Sequence, residues 1–317
     1  MAQRLRLDRN SLLGIAAILL WSATVALARS ISERIGPSTA GASVYLGGSA
    51  LLAGDLLVRR RSLTVVRHLP ARYLFGCGSL FVLYTLTLFL GLGLAASRRQ
   101  AIEVALLNYL WPALTILFSL WLLGKRATLG LIPGTLLALA GVFLVLTQGA
   151  AVSWRSFSAN VLSNPAAYAL GAIAAVTWGL YSNLTRRWGS SDGEGAVLLF
   201  TLGTGTAFLL MGRLHPEAGA WGIRVVAEVA CLALATAAAY VFWDIAMREG
   251  DVVLVASCSY LTPFFSTVVS SLYLRVWPTF SLWLGCLLII AGSFLSWRSV
   301  REPAGETPES AAHQAAG

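Results

Sequence analysis

A chain of 317 residues in which 57% are hydrophobic and only 12% charged carries more apolar surface than a soluble core of that size can enclose, which excludes an ordinary globular domain and places it in a bilayer. The formal net charge of +9 invites a nucleic-acid partner, but the basic residues are scattered over short breaks and form no stripe, so no nucleic-acid partner is expected. All four cysteines, Cys77, Cys231, Cys258 and Cys286, fall inside apolar runs; they read as packing residues and exclude a disulfide framework or a zinc spacing.

Ten runs of about 20 mainly apolar residues follow in chain order, each able to cross a hydrocarbon core of about 30 Å as a helix. They lie near 11–29, 37–58, 72–94, 98–122, 128–147, 165–186, 195–213, 225–247, 252–274 and 278–297. The first resembles a signal peptide, since Arg4, Arg6 and Arg9 precede it and Ala26-Leu27-Ala28 ends it. Against that reading, its pattern recurs later in the chain, and a cleaved leader has no reason to.

The recurrence is specific. Ile18–Arg29 returns as Ala175–Arg186, with Trp21 matched to Trp178 and Arg29 to Arg186 at an offset of 157. Tyr109-Leu110-Trp111-Pro112 returns as Tyr260-Leu261-Thr262-Pro263 at an offset of 151, and Thr128/Thr279, Gly134/Gly285 and Gly141/Gly292 keep that offset. The predicted fold is therefore an all-α integral membrane protein built as two five-helix repeats, 11–147 and 165–297, around a central cavity. Residues 1–10 form an N-terminal segment, 148–164 a connecting loop, and 298–317, rich in Ala, Glu and Pro, a disordered tail. Five spans is an odd number, so the second copy enters from the opposite side and the repeats are inverted. With the N-terminus inside, 15 Lys and Arg fall on inner segments and 8 on outer ones, which sets both termini in the cytoplasm.

Depth selects the polar residues that matter, because a polar group in hydrocarbon needs a partner or a water-filled cavity. Trp121, Trp154, Trp188, Trp221, Trp277 and Trp297 sit where interfacial belts sit. Trp21, Tyr84, Trp111 and Trp178 instead lie near mid-span, where an indole or phenol needs a partner in a neighbouring helix or a ligand. Pro112 and Pro263 predict kinks that free the carbonyls of Asn108 and Ser259 and mark hinges. Asn108, Tyr109, Trp111 and Thr115 in span four, Trp178, Tyr181, Ser182 and Thr185 in span six, and Ser259, Tyr260, Ser266 and Ser270 in span nine complete the polar set. Helix packing is the alternative for any one of these helices. Glu103 and Asp244 are the carboxylates placed within spans and the candidates for ion coupling, each near enough to an interface to snorkel or pair; Asp55 reads as a partner of the Arg59–Arg61 cluster. Gly130, Gly134, Ala138 and Gly141, with Gly285 and Gly292, form small-residue stripes for close contact within the chain or across a homodimer. Asn183-Leu184-Thr185 lies within a span and is no glycosylation site. No HExxH, P-loop or nucleophile elbow occurs, so neither an enzyme nor a cofactor site is expected.

Two five-span halves, a Trp in spans one and six, and a central proline followed by a Gly-bearing span resemble the drug/metabolite transporter superfamily of EamA type, over about residues 10–298. The Asn108–Pro112 string, with Glu103-Val104 before it and Thr115 after it, is more narrowly similar to the aromatic amino acid exporters of that superfamily. The resemblance implies export of aromatic and other neutral amino acids across a bacterial inner membrane, with Trp21, Tyr84, Tyr109, Trp111 and Trp178 lining the cavity. One departure is Lys125 after Gly124, where many members have Gly-Glu. A drug, sugar or other metabolite as cargo, and a non-transporting membrane scaffold, are the competing readings.

Overall fold

The computed structural model describes residues 8–59, 69–147, 154–189, 195–274 and 280–301. Arg4, Arg6, Arg60, Arg61, Arg67, Arg275, the break at Val276–Pro278 with its belt residue Trp277, and the tail from 302 lie outside the described residues, as do the side chains of Arg29 and Ser270.

Thirteen α-helices make up nearly all of what is described: α1 (Arg9–Ile35), α2 (Pro37–Val58), α3 (Gly78–Gly93), α4 (Arg98–Asn108), α5 (Trp111–Leu122), α6 (Leu131–Thr147), α7 (Trp154–Ser163), α8 (Pro165–Trp188), α9 (Ala196–Leu214), α10 (Ile223–Glu249), α11 (Val252–Cys258), α12 (Thr262–Leu274) and α13 (Phe280–Arg298). A π-turn over Arg72–Cys77 leads into α3. Seven stretches are long and apolar enough to span a membrane: Pro37–Val58, Arg72–Gly93, Arg99–Leu122, Ala196–Leu214, Ile223–Glu249, Val252–Val269 and Phe280–Arg298. An eighth follows if α7 and α8, bent by 103° at their junction, count as one; Arg9–Ala23 and Leu131–Thr147 are shorter apolar stretches.

Three features differ from the sequence expectation. The 148–164 connection is not all loop, because Trp154–Ser163 is helical: Phe157 and Val161 give it one apolar face, which packs on Tyr168. The chain is not purely α, since Arg126–Ala127 pairs antiparallel with Val300–Arg301, so the tail is ordered to residue 301. The small-residue stripes meet each other inside the chain: a Cβ added at Gly141 would lie 2.5 Å from the Gly285 carbonyl, and one at Gly292 2.6 Å from that of Gly134. α6 and α13 therefore touch backbone to backbone, and the stripes supply no argument for a dimer.

The other main pairs are α1 with α10, α2 with α9, and α3 with α8, while α5 packs on α8 and α12 on α1. One end of the bundle gathers the start of α1 and the end of α10, where the Asn10 amide donates to Glu249 at 3.1 Å. At the other, Gly36, with φ at 83°, turns the chain between α1 and α2, a conformation glycine adopts without strain. The backbone N–H groups of Ser38 and Thr39 there donate to the Glu217 carboxylate at 2.9 and 2.8 Å. That loop-borne carboxylate caps the positive N-terminus of α2. Its burial works against ionisation, but the Thr39 and Ser38 donors outweigh it and hold the group below the usual Glu range.

Candidate functional site

Two helix breaks build the middle of the molecule. α4 ends at Asn108 and α5 restarts at Trp111, separated by the turn Tyr109-Leu110. At the equivalent place in the second half α11 ends at Cys258, a 3-10 turn covers Ser259–Leu261, and α12 restarts at Thr262. Each proline is the second residue of the restarted helix, where an N–H would have no intrahelical partner, so a predicted kink is realised as a stop and a restart. The N-termini of α5 and α12 thus fall at the same depth as the C-termini of α4 and α11.

A cavity of about 200 Å³ lies against these breaks, lined by Trp21, Tyr84, Leu88, Asn108, Tyr109, Trp111, Trp178, Tyr240 and Thr262. Its wall is aromatic. The Trp178 ring centroid is 4.4 Å from Tyr84, 5.7 Å from Trp21 and 6.2 Å from Trp111, and Trp21 meets Tyr240 at 5.5 Å. Beneath lies Trp243, fully buried and 5.4 Å from Trp111. The polar element is Asn108, 7% exposed, whose amide oxygen has no partner. An amide oxygen left bare in hydrocarbon is costly, so its position on a cavity wall marks a place for a donor.

Tyr181, Ser259 and Tyr260 do not reach the cavity. Tyr181 is one helical turn beyond Trp178 and packs behind it on Phe81 and Phe200. Tyr260 is fully buried among α6 and α13 residues, because the 3-10 turn directs it away from the break. The Ser259 carbonyl, expected to be free, accepts from the Thr262 hydroxyl at 2.7 Å, and the Ser259 hydroxyl donates to Val255. Leu88, Tyr240 and Thr262 are the lining residues that the sequence reading did not place at the site.

Neither carboxylate lines the cavity. Glu103 is fully buried, with Asn160 donating to it at 3.1 Å and Tyr168 also donating, which ties α4 to α7 and α8. Asp244 pairs with Arg248 at 2.8 Å, side chains 2% and 4% exposed, and accepts from Tyr73; the Arg186 guanidinium donates to the Arg248 carbonyl. Asp55 is bridged to Arg59 at 2.9 Å on the surface. Asn183 donates to the carbonyls of Thr115 and Gly179, both at 2.9 Å, fastening α8 to α5.

The family model "EamA-like transporter family" matches twice, over residues 9–147 and 165–298, taking in both halves and both breaks. The chain belongs to the EamA-like transporter family. Three proteins similar to this chain are each described as "Aromatic amino acid exporter YddG". That of Salmonella typhimurium is 36% identical over 93% of this chain and 98% of its own, and that of Escherichia coli 34% identical over the same shares. That of Ancylobacter novellus is 33% identical over 89% of this chain and 95% of its own. A solved crystal structure at 30% identity superposes with a TM-score of 0.76, covering 91% of this chain and 97% of that one. As an EamA-like transporter the chain is a multi-pass membrane protein, and its relatives are transporters.

Proposed function

We propose that the chain exports aromatic and other neutral amino acids across a bacterial inner membrane by alternating access, binding them in the cavity at the two helix breaks. The observation that carries this reading is the lining itself: tryptophan and tyrosine rings around one unpartnered amide oxygen. Indole and phenol faces stack on an aromatic side chain at edge or offset geometry. The Asn108 oxygen accepts from an ammonium group. The N-termini of α5 and α12, at the lining residues Trp111 and Thr262, present the positive ends of two helix dipoles to a carboxylate, while the C-terminus of α4, at Asn108, faces the ammonium. No charged side chain is among the described lining residues, which suits a zwitterion better than an ion.

The seven long spans, the bent α7–α8 pair and the two shorter apolar stretches fit ten spans in two inverted sets of five, with both termini in the cytoplasm. Supporting this, the helix pairs exchange onto one another when the halves are swapped: α1 with α10 becomes α8 with α3, and α2 with α9 and α6 with α13 map onto themselves. The breaks at Pro112 and Pro263 then serve as the gates' hinges. A counterflow experiment in proteoliposomes with a mixture of labelled amino acids tests the reading. Aromatic amino acids are expected to exchange, and Asn108→Ala to raise KM more than it lowers kcat. Flux of a sugar or drug but no amino acid would transfer the same cavity to another cargo, and no flux at all from folded protein would leave the scaffold reading.

A further inference from the structure

Beyond the central cavity, toward the Gly36 end, lies a second space of about 340 Å³. It shares Trp21, Leu88 and Tyr240 with the first and runs past Tyr45, Thr85, Phe89, Phe208 and Thr236 to Pro37 and Leu92. Four of its rings form a continuous ladder. Tyr240 stacks on Tyr45 at 6.0 Å and 29°, Tyr45 on Phe208 at 5.9 Å and 29°, and Phe208 meets Phe89 edge-on at 4.9 Å. The hydroxyls of Tyr45 and Tyr240 are 2.9 Å apart at the inner rung, a neutral polar pair that can each offer a further lone pair.

We infer that this vestibule is a second binding site, which takes the aromatic ring of an amino acid between the central cavity and the Gly36 face. The inference rests on the aromatic-substrate reading proposed above. Protein interiors fill their space closely, so rings of this size normally pack out a gap; here they line an opening within the roughly 300–1,000 Å³ of ligand pockets. None of the described lining residues is charged, so the site accepts a molecule of zero net charge. Because Trp21 and Tyr240 belong to both walls, a ring leaving the central cavity keeps an aromatic face at every stage and is never stranded between sites. Two sites in series also let each bind weakly enough to release, as conduction through a pore requires. A lipid acyl chain is the other occupant of an apolar space in a membrane protein, but an acyl chain gains nothing from stacked rings or a hydroxyl pair.

The test uses the full chain in proteoliposomes with Cys231→Ser and a reporter, Thr236→Cys, labelled from the Gly36 side by a membrane-impermeant maleimide. L-Tryptophan at four times its Kd should slow labelling about fivefold by simple occupancy, and glycine should not. Protection should persist with Asn108→Ala, which alters only the central cavity, and fall with Phe208→Leu or, should that variant fold poorly, with Phe89→Ala. Absence of protection overturns the inference. So does protection that vanishes with Asn108→Ala yet survives both phenylalanine variants, since it then reports the central cavity, and so does protection that follows lipid composition instead of tryptophan. Counterflow of labelled tryptophan by the wild-type chain in the same vesicles judges the transport reading separately: protection without flux would retain the site and remove the function.

Discussion

Replacing Arg248 with Met strips the cation from a carboxylate that water does not reach. At 2.8 Å and an effective dielectric of about 20, the Asp244–Arg248 attraction is about 6 kcal/mol. Desolvating both ions offsets most of that, so the intact pair adds little net stability. Removing one partner is different, because Asp244, 2% exposed at its side chain, is then a buried charge facing Tyr73 without its cation, at a cost of about 3–5 kcal/mol. Thermal unfolding in detergent micelles should report this as a Tm lower by roughly 6–10 °C, at about 2 °C per kcal/mol. The double variant Asp244→Leu/Arg248→Met removes both charges and should recover most of the loss, falling short of wild type by about 1–3 kcal/mol for a buried Tyr73 hydroxyl left without its acceptor. Arg248→Met melting within about 2 °C of wild type, or a double variant no better than the single, would show that the pair is hydrated and refute the reasoning.

The remaining expectations are simpler to test. Gly292→Ala pushes a methyl group against the Gly134 carbonyl and the Ala138 backbone, and should cost about 1–3 kcal/mol by overpacking. Gly54→Ala, in a helix with nothing near the new carbon, should instead raise Tm slightly, by about 0.4–1 kcal/mol of stability. Glu217 is held below the usual Glu range by the Thr39 and Ser38 N–H groups against the effect of its burial. Its contribution is therefore complete above the ordinary Glu value near 4.5 and lost as pH falls through its lower folded value. Tm measured from pH 6 downward should drop through that window in wild type and lose this component in Glu217→Gln. With Glu103 and Asp244 both engaged away from the cavity, efflux of a labelled aromatic amino acid should be unchanged when a pH gradient is imposed; acceleration by an inward proton gradient would assign a coupling role to one of them.

Mid-span depth was enough to single out Trp21, Tyr84, Trp111 and Trp178 from the sequence, because a polar aromatic in hydrocarbon must have a reason to be there, while Asn108 followed from the proline four residues on and Tyr109 from the family resemblance. The same argument applied to Tyr240, which lies amid alanines in span eight, would have found it. Thr262 was legible too: it is Trp111 displaced by 151 residues. What the sequence did not carry was direction. Tyr181 follows Trp178 by nearly one turn, yet only the packing of Phe81 and Phe200 turns it from the cavity. The difference between a kink and a restart depends on the turn before each proline, and proline alone does not specify that. The i,i+4 spacing of Asp244 and Arg248 was readable as an ion pair, but the closing of bulk water over it depends on Tyr73 and Arg186 from distant segments. Helix α7 escaped because ten residues with three serines and an asparagine carry too short a periodicity to stand out.

The contact of α6 with α13 limits how the molecule can move. Its glycines leave no side-chain slack, so a shift by one residue would bring larger neighbours such as Thr135, Val142 or Leu284 against the opposite backbone. The short ladder of Arg126–Ala127 with Val300–Arg301 pins the same two helices at one end. Any rocking of one half against the other must therefore turn about this line as an axle. Displacement then grows with distance from it, and α2 with α9, which pack on α1, α3 and α10 and away from α6 and α13, make the widest excursions.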